Sequence, residues 1–133
     1  MHPLIVSHFA GDTAVRSLQE LRATLRLRGS DDDNSFWLAP PGEKGYGYPQ
    51  LSLLVHEEWA VLHYFSEDGD PGAQSIGLSD GDEMVEFAQL PGGGADDIGV
   101  PQSAVVAAEV AMRAAEEFAL TLARPASIEW FQL

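Results

Sequence analysis

The middle of the chain, residues 50–65, reads QLSLLVHEEWAVLHYF. Two apolar runs, 50–55 with three leucines and Val55 and 59–65 with three aromatic residues and Val61, flank a brief polar turn at His56-Glu57-Glu58. Runs of this kind are typical of strands, and so short a connection joins antiparallel neighbours. We therefore predict an antiparallel hairpin at the centre of a sheet.

One helix is predicted before this hairpin and one after it. Apolar residues recur every three or four positions over residues 13–27 and again over residues 101–122, which is the period of one helical face. Each apolar stripe must be covered. The sequence therefore predicts an α+β fold, with a mostly antiparallel sheet packed against two helices and with Trp59 and Trp130 largely buried.

Length and composition indicate an ordinary globular protein. The 133 residues are 45% hydrophobic and contain no cysteine, which suits one domain over residues 1–133 without disulfides. No apolar run approaches the roughly 18 residues that span a bilayer. The first residues also lack the charged and apolar regions of a signal peptide. We expect a cytoplasmic protein that does not bind membranes.

Charge is the strongest functional indication. The formal net charge is −14, and from Glu57 onward 15 acidic residues face only two basic ones, Arg113 and Arg124. Such a surface repels nucleic acid and anionic membranes and attracts a basic macromolecule at long range. The sequence therefore favours a basic protein partner and argues against nucleic-acid binding.

One motif raises the possibility of catalysis. Residues 77–81, Gly-Leu-Ser-Asp-Gly, match the pattern of a nucleophile elbow around Ser79. No histidine follows His63, so the usual order of serine, acid and histidine is not completed. A plain turn is the favoured interpretation, and no catalytic residue is expected. A small serine hydrolase using Ser79 with His63 or His56 remains an alternative.

Metal and cofactor sites are not expected. Residues 56–60 begin like a zinc-protease motif, but position 60 is alanine where a second histidine is required. The acidic runs lack the closing glutamate of a calcium loop. The glycines at 92–94 lack the lysine and hydroxyl residue of a phosphate-binding loop.

The acidic turns themselves are the candidate partner-binding residues. The simplest interpretation is that they are solvated turns. The more specific one is that they form an anionic surface that binds a protein. They are candidates because they occupy turns, where no role in the fold is expected of them. The candidates are Asp31, Asp32, Asp33, Glu67, Asp68, Asp70, Asp80, Asp82 and Glu83.

The order of elements resembles a known family. The features that carry the resemblance are the hairpin at 50–65, the Asp70-Pro71-Gly72 turn with Ser75 and Gly77 soon after, Val100-Pro101, Phe118, and Arg124-Pro125 followed by Ile128-Glu129-Trp130. Together they are similar to the type 1 immunity protein family of bacterial polymorphic toxin systems. The resemblance covers most of the chain from about Gln50 onward.

The resemblance implies an inhibitor without catalysis of its own. Members of this family bind a cognate toxin domain, often a nucleic-acid deaminase or a nuclease. For this chain the resemblance therefore implies a partner that attacks nucleic acid, a deaminase in the first instance and a nuclease in the second. Pro125 and Trp130 would then be structural, fixing the last strand against the helix. An acidic adaptor or chaperone that binds several basic clients remains the other alternative.

Overall fold

The structure, a computed structural model, describes residues 1–29, 32–88 and 97–133. The helices are α1 (Leu18–Leu25) and α2 (Ala108–Thr121). The strands are β1 (Leu4–His8), β2 (Gly11–Val15), β3 (Asp33–Ala39), β4 (Pro41–Gly42), β5 (Gly45–Tyr46), β6 (Gln50–His56), β7 (Trp59–Phe65), β8 (Ala73–Ile76), β9 (Met84–Ala88), β10 (Asp97–Pro101), β11 (Val106–Ala107) and β12 (Glu129–Gln132).

One large antiparallel sheet organises these elements. Its strands follow the order β12-β8-β7-β6-β3-β1-β2, and β11 pairs separately with the start of β7. The predicted hairpin is confirmed, because β6 pairs with β7 in a register that runs from Gln50 opposite Phe65 to His56 opposite Trp59. The hairpin lies in the middle of the sheet, as predicted, and the α+β fold is confirmed.

Both helices cover one face of this sheet. Alternate residues of the central strands, such as Leu53 of β6 and Leu62 of β7, are buried there with Leu21 of α1 and Phe118 of α2. Side chains of a strand alternate between the two faces, so this face receives every second residue. Burying each of these large side chains contributes about 1.5–3 kcal/mol to folding.

The opposite face holds a smaller core. Leu54 of β6 and Val61 of β7 point away from the helices and pack with Phe87 of β9 and Val100 of β10. β9 and β10 form a separate two-stranded sheet that covers this face. The central strand β6 is therefore buried on both sides, which explains its nearly continuous apolar sequence.

The first helix begins later than predicted. Residues 13–15 belong to β2, which pairs with β1 along its whole length. The cap is Ser17, whose Oγ accepts a hydrogen bond from the backbone N–H of Glu20 at 3.1 Å. The Glu20 carboxylate in turn accepts from the N–H of Arg16 at 3.2 Å. This reciprocal arrangement sets the helix start at residue 18.

The second helix also begins later than predicted. Pro101 ends β10, a 3₁₀ turn covers Gln102–Ala104, and β11 comes before the first helical residue, Ala108. The apolar residues near 105 therefore serve strand pairing rather than a helical face. The helix ends at Leu122, which adopts a left-handed backbone (φ 49°) and donates its N–H to the carbonyl of Phe118.

The segment after α2 is tied to the helix and to the last strand. The carboxylate of Glu117 accepts from the N–H groups of Ala126 at 2.9 Å and Ser127 at 3.2 Å. Burial by itself would raise the pKa of Glu117, but these hydrogen bonds outweigh it and lower the pKa. Trp130 donates its indole N–H to the carbonyl of buried Pro125 at 2.8 Å. The Glu117 carboxylate and the Trp130 indole therefore hold the closing segment in place.

The two tryptophans that were predicted to be buried, Trp59 and Trp130, differ in their exposure. Trp130 is partly buried against the main core and contacts Tyr64, with ring centroids 6.2 Å apart. The expectation that Trp59 is largely buried is wrong, because 48% of it is exposed. Trp59 is the first residue of β7 and shares a face with Val61 rather than with Leu62. At that end of the strand the smaller core does not cover it.

Among the described residues, neither helix is long and apolar enough to cross a bilayer.

Candidate partner-binding surface

One end of the central hairpin carries four carboxylates around a histidine. We call this group, Asp32, Asp33, His56, Glu57 and Glu58, the acidic corner; it lines an open polar depression. The register places Asp33 opposite His56, and the backbone N–H of Glu57 donates to the carbonyl of Asp32 at 3.0 Å. The acidic corner therefore combines two candidates, Asp32 and Asp33, with the turn between β6 and β7.

Asp33 has a role in the fold that sequence reasoning did not anticipate. It is the first residue of β3, and its Oδ1 is hydrogen-bonded to Nδ1 of His56. That hydrogen bond is the main reason why the pKa of His56 is raised, and the charges of Asp33, Glu57 and Asp32 act in the same direction against burial. When it is protonated, His56 thus offsets part of the negative charge of the corner.

This pair predicts a pH dependence of stability. Because the pKa of His56 is raised on folding, its contribution is complete below its ordinary value of 6.5 and is lost as pH rises through the raised value. The His56→Gln variant should be less stable than the wild type near pH 6 by up to about 1 kcal/mol, the range for a partly screened ion pair. This difference in stability between the two proteins should shrink as pH rises. Thermal melts followed by circular dichroism at several pH values measure it.

His63 provides the matched control. Burial lowers its pKa, so its contribution is present above 6.5 and is lost as pH falls. The difference between wild type and His63→Gln should therefore change with pH in the opposite sense. A stability difference between wild type and His56→Gln that stays constant from about pH 6 to pH 9 would contradict the role assigned to the Asp33–His56 pair.

The second acidic group lies at the other end of the hairpin. Glu67, Asp68 and Asp70 belong to the turn between β7 and β8, which follows Phe65, whereas the acidic corner lies beside Trp59. Glu67 and Asp68 are exposed. The structure therefore does not bring these three residues together with the acidic corner.

Asp70 differs from its two neighbours because it shapes the turn. Its carboxylate accepts from the N–H of Ser66 at 2.9 Å, from the hydroxyl of Ser66 at 2.8 Å and from the N–H of Gly72 at 2.9 Å. These bonds, led by the one from the Ser66 N–H, lower the pKa of Asp70. The premise that all candidates need no role in the fold is therefore wrong for Asp70 as well as for Asp33.

The third acidic group is the loop between β8 and β9. Asp80, Asp82 and Glu83 are exposed, while their loop is held by its backbone. The N–H of Gln102 donates to the carbonyl of Glu83 at 2.8 Å, and the N–H of Ser103 donates to the carbonyl of Gly81 at 3.1 Å. The loop is thereby fixed beside the 3₁₀ turn that leads into β11. The remaining candidate, Asp31, lies outside the described residues.

Ser79 lies in this loop and acts as a turn residue. Its Oγ accepts from the N–H of Gly81 at 3.1 Å. The two histidines of the serine-hydrolase alternative have other partners: His56 is bonded to Asp33, and Nε2 of His63 lies 3.0 Å from Nε2 of Gln74. Among the described hydrogen bonds, none joins Ser79 to a histidine, although a nucleophilic serine needs a base within reach.

An apolar groove adjoins the third acidic group. β11 pairs with β7 at Trp59 and Ala60, while β8 pairs with the same strand further along, at His63 and Tyr64. The end of β8, β11, the first turns of α2 and the start of β12 line a groove of about 990 Å³. The larger apolar side chains in its lining are Trp59, Ile76, Leu78, Val85, Val105, Val106, Val110 and Ile128.

The sequence model of the family Immunity protein Imm1 matches residues 10–132. The chain belongs to the Imm1 immunity protein family. No curated protein matches the chain. The resemblance deduced from the motifs is thus confirmed over nearly the whole Imm1 chain. Membership supports an immunity role, in which the protein binds a cognate toxin, and suggests that it is not a catalyst.

Sequence reasoning missed the groove of this Imm1 protein. Two signals were present: Trp59 follows directly on the acidic pair Glu57-Glu58, and Leu78 stands between Gly77 and Ser79 in a turn. A large apolar residue in either position is difficult to bury. Glu57 and Glu58 were also left out of the candidates, although they complete the acidic corner.

Proposed function

We propose that this Imm1 protein binds and neutralises a toxin domain that attacks nucleic acid, a deaminase first and a nuclease second. It acts in the cytoplasm as a single domain over residues 1–133, without catalysis of its own. The observation that carries the proposal is the acidic surplus, 15 acidic against two basic residues from Glu57 onward, much of it displayed on exposed loops. Family membership supplies the toxin as the class of partner.

Electrostatics explains why a nucleic-acid-targeting toxin fits. An enzyme that acts on DNA or RNA needs a basic groove for the phosphate backbone. An acidic protein is steered into such a groove at long range and competes there with the substrate. The inhibitor therefore needs a suitable charge pattern and no reactive residue.

The exposed carboxylates are the best candidates for these contacts. Side chains already bonded within the fold, those of Asp33 and Asp70, present less of their charge to a partner. Asp32 makes only a long ion pair, 3.8 Å from its Oδ1 to Nε of Arg28. With Asp32 included, the remaining candidates are exposed and can meet lysine or arginine across an interface. They are Asp32, Glu67, Asp68, Asp80, Asp82 and Glu83.

The absence of catalysis predicts that Ser79 is dispensable. Its hydroxyl is engaged with the N–H of Gly81, so Ser79→Ala removes a turn contact and no chemistry. The test is a titration of the purified toxin domain, which we expect to be encoded directly upstream of this chain's gene, with the wild type or with Ser79→Ala. Wild type and Ser79→Ala should both abolish toxin activity at one equivalent. Loss of inhibition by a folded Ser79→Ala protein would support the serine-hydrolase alternative.

A further inference from the structure

The groove exposes apolar surface that the fold does not require. Leu78 is fully exposed, and Trp59 and Ile76 are 48% and 38% exposed. Single exposed apolar residues are common on proteins, but these three line the same groove. A grouped apolar surface rimmed by charge is typical of a binding site.

The loop that carries Leu78 is held in a fixed position. The N–H of Gly77 donates to the carbonyl of Ser103 at 2.6 Å, and the backbone there passes so close to β11 that a Cβ on Gly77 would lie 1.9 Å from the carbonyl oxygen of Val105. On the other side of Leu78, Gly81 is bonded to Ser103 and Ser79. The groove is therefore formed before a partner arrives, which reduces the ordering that binding requires.

Exposed acidic residues lie in the lining of the groove or next to it along the chain, and we call them its rim. Glu58 precedes Trp59, Asp80 follows Leu78 by two residues, and Glu129 lies in the lining itself; all three acidic residues are exposed. No lysine or arginine is among the described residues that line the groove. Charge complementarity thus selects a partner whose own surface is basic, and a second copy of this chain would bring like charges together.

We infer that this groove receives an apolar side chain from the basic surface of the toxin domain, with lysine or arginine of the toxin pairing with the carboxylates of the rim. The inference rests on the proposed function and adds the place of docking. In interfaces of this kind a few central apolar anchors dominate binding, while rim charges mainly set the rate of encounter. Trp59 and Leu78 are accordingly anchor residues, and the acidic rim orients the approach.

The test compares dissociation rates from immobilised toxin domain, in a catalytically inactive variant so that cells tolerate it. Trp59→Ala and Leu78→Ala should each dissociate about tenfold faster than wild type or more, because an anchor is lost. Association should change by less than about threefold, since the net charge is unaltered. Leu78 is fully exposed, so Leu78→Ala should melt as the wild type does even if Trp59→Ala is destabilised.

Leu120→Ala is the matched control. Leu120 is 52% exposed on α2 and does not line the groove. Its variant should dissociate as the wild type does. If Leu78→Ala and Trp59→Ala also dissociate as Leu120→Ala does, the groove is not the docking place, although the toxin is still bound. If the wild type itself fails to bind the toxin domain, the proposed function is overturned and the groove inference falls with it.

Discussion

Reversing the six exposed candidate carboxylates to lysine is expected to slow association with the toxin domain about 100-fold at low salt. Each reversal adds two positive charges, so six of them take the formal net charge from −14 to −2. Long-range attraction to a basic partner is then largely lost, whereas contacts in the apolar groove remain. The substitutions are Asp32→Lys, Glu67→Lys, Asp68→Lys, Asp80→Lys, Asp82→Lys and Glu83→Lys.

Salt should reproduce part of this effect on the wild type. Exposed charges are screened beyond about 8 Å at physiological ionic strength, so raising salt should slow association of the wild type and leave the reversed protein nearly unchanged. Rates from stopped-flow mixing at several salt concentrations measure both effects. Equal association rates of the two proteins at low salt would contradict electrostatic steering.

Two double variants of equal charge separate the ends of the molecule. Asp80→Lys with Asp82→Lys alters the loop beside the groove, and Glu67→Lys with Asp68→Lys alters the turn at the other end of the hairpin. If the toxin docks at the groove, the first pair should slow association more than the second. The reverse order would place the toxin at the turn between β7 and β8.

The Gly77→Ala variant is expected to lose about 3 kcal/mol of folding free energy. An added Cβ would lie 1.9 Å from the carbonyl oxygen and 2.9 Å from the carbonyl carbon of Val105. Both are backbone atoms of the segment that leads into β11, so they cannot turn aside as a side chain would. Relieving this clash would push the two backbone segments apart and so weaken the hydrogen bond from Gly77 to Ser103. In a domain of this length, the melting temperature should fall by about 10 °C.

Gly99→Ala is the matched control. A Cβ on Gly99 would lie 3.2 Å from Cε of Met84, the end of a flexible and exposed side chain that can move. This variant should melt within about 3 °C of the wild type. A melting temperature of Gly77→Ala as close as that to the wild type would show that β8 and β11 do not approach as tightly as described.

The sequence alone predicted the centre of the fold well. The hairpin of β6 and β7 was identifiable because its strands are nearly continuous runs of apolar residues and its polar turn is short. In these segments local composition and tertiary pairing favour the same structure, so pattern reasoning was sufficient.

The helix starts were wrong where pairing partners decide the structure. Residues 13–15 fit a helical face, yet they pair with β1, and Pro101 fits a helix start, yet it pairs with Met84. The true start of α1 did have a local signal, Ser17 followed three residues later by Glu20. The start of α2 has no side-chain cap, so no such signal was available there.

The candidate site could be predicted only in part from the sequence. Composition predicts acidic turns as the partner-binding surface, but it could not separate exposed carboxylates from Asp33 and Asp70, which are bonded within the fold. The groove was not predictable in detail, because it is assembled from β8, β11, α2 and β12, which are distant in sequence. A hydrophobic residue is not recognised as exposed until its neighbours are known.

Whether this protein neutralises a toxin by binding it can be measured by titrating the activity of the proposed toxin domain with the purified protein. Toxin activity should fall linearly and end at one equivalent, for wild type and Ser79→Ala alike. Residual toxin activity at a large molar excess of this protein would contradict neutralisation by binding. Equally weak binding of this chain to unrelated basic proteins would also contradict it and would favour an acidic adaptor instead.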